Sequence, residues 1–177
     1  MLKLPAPGRG FTLIEVMITL VVLGVLIALG APSFSDWTRN QQIRSASEAI
    51  LNGLQVARGE AVRRNLLVQF QLTSLPTSAW TVSETVSAAP IQSRVHEEGT
   101  LNTSVTATPG DATKATFAPL GNVVANIDGS ATLTTLDVTN AAASAASRPL
   151  RVLITGGGSI RMCDPDPVLA ATDPRHC

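Results

Sequence analysis

The chain has 177 residues, enough for one domain of ordinary size and an additional segment. Its 13 basic side chains balance 13 acidic ones, which excludes a chain-wide basic surface for nucleic acid and leaves only a local patch open. Aromatic residues make up 3%, Tyr is absent, and small and β-branched residues dominate the second half, a composition suited to a β-rich domain with modest core side chains.

Residues 8–32 read GRGFTLIEVMITLVVLGVLIALGAP. From Phe11 to Ser35 there is no Lys or Arg, and the single acid is Glu15. Counted from Phe11, the run is long enough for a hydrocarbon layer of about 30 Å, which needs about 20 residues. An ordinary secretory signal places its apolar region before the cleavage site. Here a short leader with Lys3 and Arg9 ends in Gly10 and the apolar run follows, so a cut after Gly10 leaves that run as the new N-terminus. The two cations place the leader on the cytoplasmic side and everything after about Pro32 on the far side.

Glu15 is the anomaly. A carboxylate at the centre of a membrane helix costs about 2.5–3.5 kcal/mol on insertion scales. Two readings stand. Either Glu15 lies near enough to the headgroups to reach them, or it meets a cation within the membrane or an assembly. The α-amino group of a freed Phe11 is such a cation. On a straight helix it is poorly placed for its own Glu15, and better placed for that of a subunit displaced along the axis. Gly24, Gly30 and Pro32 weaken helix continuity, Pro32 by its ring clashing with the carbonyl four residues back.

Past Pro32 the helical period resumes. Ile43, Ala46, Ile50, Leu54, Ala57 and Ala61 fall on one face, which predicts a helix with one buried stripe running to about Asn65. The small residues on that stripe admit a sheet closely. Arg44 and Glu48, and Glu60 and Arg64, are spaced for i,i+4 pairing. Arg58, Arg63 and Arg64 complement the dipole at the helix end.

After Asn65 the alternation becomes two-fold. Residues 66–72, 79–86, 115–123, 131–139 and 149–155 read as strands. LPTS, TPGDAT, IDGS and ITGGGS read as turns, and Asp128-Gly129 carries a hairpin signal. Residues 87–114 and 140–147 are small, polar and weakly periodic, and are expected to be surface loops, with NAAASAAS open to a short helical turn.

Cys163 and Cys177 enclose a Pro-rich tail. On the oxidising side of a membrane a disulfide is expected, contributing about 3 kcal/mol for a loop of that length. A metal site from Asp164, Asp166, Asp173, His176 and the thiols is the weaker reading, since soft-ligand zinc binding competes with oxidation. No catalytic constellation is legible. His96 and His176 are the only histidines, and ITGGGS lacks the Lys and Ser/Thr that a phosphate loop requires. The chain is therefore expected not to be an enzyme and to need no cofactor.

GFTLIEVMITLVVLGVLIALGAPSF closely resembles the N-terminal signature of type IV pilins and pseudopilins. LQVARGEAVRRN (residues 54–65) resembles the helix end of the GspH/FimT group, with Gly59 in place of the commoner Ser. FAPLGNV and PLRVLITGGGSIRMCDP are similar to that group's late strand and final hairpin. The resemblance covers residues 8–72 and 115–177. It implies an α+β pilin fold: a leader at 1–10, a hydrophobic transmembrane and assembly helix at 11–35, its amphipathic continuation at 36–65, and an antiparallel β-rich periplasmic head at 66–177. It implies cleavage between Gly10 and Phe11 by a prepilin peptidase, N-methylation of Phe11, and an assembly role for Glu15 against a neighbour's amine. The implied function is that of a minor pilin which primes or caps a filament. Its partners are other minor and major pilins, the inner membrane and the assembly platform.

Two alternatives remain open at this stage, a pseudopilin of type II secretion and a DNA receptor for natural transformation. For DNA the candidates are Arg148, Arg151, Arg161 and Arg175. The group's G-R-x-R pattern is here Gly158-Ser159-Ile160-Arg161, without its first Arg, and Asp164, Asp166 and Asp173 offset the field that phosphate binding needs. Removing Lys3 and Arg9 with the leader leaves 11 basic side chains against 13 acidic.

Overall fold

A computed structural model describes residues 10–98, 100–142, 146–170 and 172–177. The expected leader, apart from Gly10, and part of the 140–147 segment lie outside the described residues. The chain divides into two units, Met1–Ser35 and Asp36–Cys177.

One helix, α1 (Leu13–Arg64), contributes to both. Its start is set by the sequence. Thr12 Oγ1 accepts the Glu15 backbone N–H at 3.3 Å, so Thr12-Leu-Ile-Glu15 forms one half of a capping box and places the acid in the first turn. Its end is equally local. Asn65 adopts φ 55°, and the Leu66 N–H bonds the Ala61 carbonyl, the six-to-one closure of a Schellman motif. Helical assignment runs through Gly24, Gly30 and Pro32 without a break.

In the first unit the apolar side chains from Leu13 to Leu29 are exposed on every side. An 18-residue stretch of α1 has a mean hydropathy of 2.7, long and apolar enough to cross a membrane.

In the second unit the expected stripe is realised. Ile43, Ala46, Ile50, Leu54, Ala57 and Ala61 are fully buried and share one cluster with residues from both sheets. Gly53 on the same face sits under two aromatic rings. A Cβ there would come within 2.8 Å of Trp80 and 2.9 Å of Phe70. The glycine is what lets the two rings approach the helix this closely.

The head contains two antiparallel sheets. The first runs β3-β2-β1-β5-β6, with β1 (Val68–Leu72), β2 (Trp80–Glu84), β3 (Pro90–Arg94), β5 (Lys114–Phe117) and β6 (Val123–Val124). The second runs β4-β7-β8-β9, with β4 (Thr103–Thr108), β7 (Thr135–Asn140), β8 (Leu150–Ile154) and β9 (Ile160–Cys163). Phe70 pairs with Val82 on one side and Ala115 on the other, and these inward positions carry the core. Leu136, Val138, Val152 and Ile154 fill the same cluster from the second sheet. The sheets are tied where the Leu133 N–H bonds the Lys114 carbonyl.

The edges are guarded in ways that discourage strand addition. β3 begins at Pro90 and pairs through an irregularity at Val82/Ser83. On β4 the Val105 N–H is taken by the Pro76 carbonyl, and on β6 the Val123 N–H by that of Gly156. Beyond β9 the tail adds a bridge from Asp164 to His176.

Three sequence expectations are corrected. Residues 87–114 are not only loops, for they contain β3 and β4. β4 alternates Thr103, Val105 and Ala107 inward, but with side chains too small to make a strong pattern. The predicted 115–123 strand is interrupted. The Gly121 N–H bonds the Ala118 carbonyl, so Pro119-Leu120 form the tip of a turn between β5 and β6. Asp128-Gly129 does form a turn, with Gly129 at φ 73°, but it leads from one sheet to the other and closes no hairpin. Asn126, buried, shapes that crossing by donating its amide to the carbonyls of Lys114, Ser130 and Ala131.

Candidate functional site

The N-terminal candidates lie at the start of α1. Phe11 is 84% exposed, and the Glu15 side chain is exposed with no ion-pair partner among the described residues. The Glu15 backbone N–H is used by the cap, so its place in the first turn is fixed locally. The carboxylate at the helix N-terminus also complements the dipole, a local role that Thr-x-x-Glu spelled out and that the apolar context obscured.

At the other end of α1, Glu60 accepts hydrogen bonds from both Arg63 and Arg64. Arg63 and then Arg64 hold its carboxyl down from 4.5 to about 2. Arg64 also reaches Glu84 on β2 at 2.6 Å, tying the helix end to the first sheet. The Ser87 hydroxyl and Arg64 lower Glu84 as well. The pairing of Arg44 with Glu48, expected from spacing, is present at 2.9 Å.

The four DNA candidates group around β8, β9 and the tail, but their charges are largely committed. Arg151 makes a two-point contact with Asp137 on the neighbouring strand, at 2.6 and 3.0 Å. Arg175 makes another with Asp173, at 3.1 and 2.8 Å. Arg161 donates to the Cys177 backbone oxygen at 3.1 Å. Arg148 is exposed, its side chain in no ion pair among the described residues, while its backbone N–H binds Asn40 of α1. Arg148 and Arg175 share a cavity of about 630 Å³ with Asp164 and Asp166, so its lining is of mixed sign.

The tail is ordered by its aspartates. Asp164, Asp166 and Asp173 each accept the backbone N–H two residues on, a side-chain turn repeated three times. Cys163 and Cys177 form a disulfide. No group of three His, Cys, Asp or Glu able to hold a metal occurs among the described residues. His96 links a loop: its ring lies 3.3 Å from the Ser78 hydroxyl and 3.1 Å from the Leu101 carbonyl. Ser78 is buried against Thr100, and no acid bonds the ring among the described residues.

Sequence reasoning missed the meeting of two glycines. Gly158, in the β8–β9 turn, has φ 78°, and a Cβ on it would overlap the carbonyl oxygen of Gly121, itself at φ 79°. The glycine run is therefore a seat for the Ala118–Gly121 turn. The run in ITGGGS was visible, but the partner lies 37 positions earlier and no local signal joins the two.

A lipid-length helix whose first turn carries an acid with no ion-pair partner among the described residues, continuing into a two-sheet antiparallel head, defines a pilin-like protein. Residues 46–158 match the family described as type II transport protein GspH, and residues 8–31 match the prokaryotic N-terminal methylation motif. The chain belongs to the GspH family. A fimbrial protein of Neisseria meningitidis is 39% identical over 77 residues, 44% of this chain and 42% of that one. The type IV major pilin protein PilE of Neisseria gonorrhoeae is 46% identical over 43 residues, 24% of each chain. These matches span less than half of either relative. A crystal structure of the type IV minor pilin FimU from Pseudomonas aeruginosa superposes with a TM-score of 0.55 at 18% identity, over 71% of this chain and 91% of that one.

Proposed function

We propose that this chain is a minor pilin of a type IV pilus that works by assembly, priming the filament near its tip. A prepilin peptidase cuts between Gly10 and Phe11, and Phe11 is N-methylated. The helix from Phe11 to about Ser35 holds the protein in the inner membrane with the head in the periplasm. The cost of a carboxylate in lipid is offset when Glu15 meets the Phe11 amine of a neighbouring pilin, and that pairing draws the subunit into the filament. The observation that carries the reading is Glu15 itself, placed by the Thr12 cap in the first turn of an apolar helix and in no ion pair among the described residues. The disulfide-closed head and the chain's family support the same reading.

The test is recovery of the protein in mechanically sheared pili. Glu15→Ala should remain in the membrane fraction and fall at least about tenfold in the pilus fraction, as expected if roughly 1.4 kcal/mol or more of ion pairing is lost. Undiminished recovery refutes the assembly role. Mass spectrometry of the mature protein should begin at N-methyl-Phe11.

The family's description as a type II transport protein favours a second reading, a pseudopilin of a secretion machine. Deletion that abolishes secretion while leaving surface pili intact would establish it. DNA capture is not favoured, because Asp137 and Asp173 already neutralise two of the four candidate arginines.

A further inference from the structure

Four large apolar side chains stand out of the head together. Leu120 and Val86 are 91% and 89% exposed, and Val62 and Leu66 are 53% and 49% exposed. Separate chain segments bring them to one place. Val62 and Leu66 flank the end of α1. Val86 lies in the β2–β3 turn, which is closed by the Glu84 N–H on the Ala89 carbonyl. Leu120 tips the turn between β5 and β6. Leu66, Val86 and Pro119 line one depression of about 250 Å³. A Cβ on Gly121 would come within 3.5 Å of Val62 and 3.1 Å of Arg58, which places both beside the Leu120 turn.

The turn is built to hold Leu120 outward. The Ala118 N–H bonds the Asn122 carbonyl, the Gly121 N–H bonds the Ala118 carbonyl, and Gly158 packs its backbone against Gly121. A loose loop could lay Leu120 over Leu66 and remove both from water. This one is held at both ends, so the exposed area awaits a partner. Scattered single apolar residues need no explanation, but a contiguous face does.

Charge identifies the occupant. Arg58 has no acidic partner among the described residues, while Arg63 and Arg64 share Glu60 and Glu84. The rim thus holds three guanidiniums against two carboxylates. Two copies meeting through this face would bring together two rims that each carry an excess guanidinium and no spare carboxylate to answer it. Lipid is also a poor fit, since Val62 lies about 40 Å along α1 from Asp36 at 1.5 Å per residue. A pilin head of different sequence, presenting an apolar side chain with a carboxylate beside it, satisfies both the area and the charge.

We propose that the face formed by Val62, Leu66, Val86 and Leu120, with Arg58 on its rim, docks the head of a different pilin that carries an apolar knob flanked by a carboxylate. This rests on the reading of the chain as a minor pilin.

The full-length protein in its piliated host provides the test. Both native cysteines are in the disulfide, so Leu120→Cys introduces one reactive thiol for a short thiol-to-amine crosslinker. Thr106→Cys, exposed on β4 in the second sheet, is the control. The expected product is a heterologous crosslink from position 120, absent from position 106, whose partner peptide belongs to another pilin. Leu120→Glu should leave the cellular amount unchanged and lower recovery in sheared pili about tenfold, because the new carboxylate is desolvated on docking. A crosslink to a second copy, no crosslink from position 120 while the wild type is present in pili, or unchanged recovery of Leu120→Glu overturns the proposal. Absence of the wild type itself from pili overturns the minor-pilin reading, and this inference with it.

Discussion

Gly158→Ala is the most exacting test of the head's architecture, because it perturbs one contact that joins two turns and both sheets. The residue sits at φ 78°, where a side chain costs about 1–2 kcal/mol. Its new Cβ would also overlap the Gly121 carbonyl oxygen, and Asn122 Cα would lie 3.3 Å away. These are backbone atoms, so no rotamer change relieves them, and overpacking of this kind costs about 1–3 kcal/mol. The sum is a loss of about 2–5 kcal/mol. At roughly 2–4 °C per kcal/mol for a domain near this size, the midpoint should drop by about 4–20 °C. Gly157→Ala is the control, with nothing within 4 Å of its Cβ and no positive φ. Thermal unfolding of the full-length protein in detergent, followed by fluorescence of the buried Trp80, reads both variants. If Gly158→Ala melts within about 2 °C of Gly157→Ala, the proposed seat for the Leu120 turn is wrong.

Gly53→Ala sets helix propensity, a gain of about 1 kcal/mol, against crowding of Trp80 and Phe70 that costs about 1–3 kcal/mol. The melt should show a small net loss, and a clear stabilisation would contradict the tight helix–sheet contact. Replacing Cys163 and Cys177 together by Ser should remove about 3 kcal/mol by the chain-entropy account and open the tail to proteolysis before the head unfolds. Glu60, Glu84, Asp128 and Asp173 all have carboxyls held below their ordinary values by Arg, Lys or hydroxyl donors. A depressed carboxylate stabilises the fold above its unfolded range, so stability should be level near neutrality and fall as pH drops from about 4.5 toward 2, the interval set by Glu60. Melts across that interval should show a shallower fall for Glu60→Gln, and an unaltered slope would remove Glu60 from the account.

The helix was legible because its signals are local: a continuous apolar run, an apolar stripe at i, i+3 and i+4, and a change of period near Asn65. The disulfide followed from compartment and count. β4 was not legible, since Thr103, Val105 and Ala107 alternate inward with little contrast in hydrophobicity, and its burial is decided by β7 beside it. Nor was the split at Pro119. FAPLGN has strand-like ends and a turn-like middle, and the choice between them depends on Gly158 from a distant hairpin.

The candidate site divides along the same line. Glu15 could be singled out from sequence because its anomaly is local: one acid in an apolar run. The exposed face around Leu120 could not, because Val62, Val86 and Leu120 each read as an ordinary apolar residue until folding brings them together. A chain that caps its helix, guards its sheet edges and closes its tail, yet holds Leu120 outward beside an Arg58 with no acidic partner among the described residues, leaves exposed groups at two positions. In the reading proposed above, Glu15 meets a cation, and the Leu120 face meets an apolar knob with an acid. A major pilin could supply the first to any subunit bearing the acid. In the proposed docking the second would discriminate among heads, so it is there that the order of subunits in an assembly would be decided.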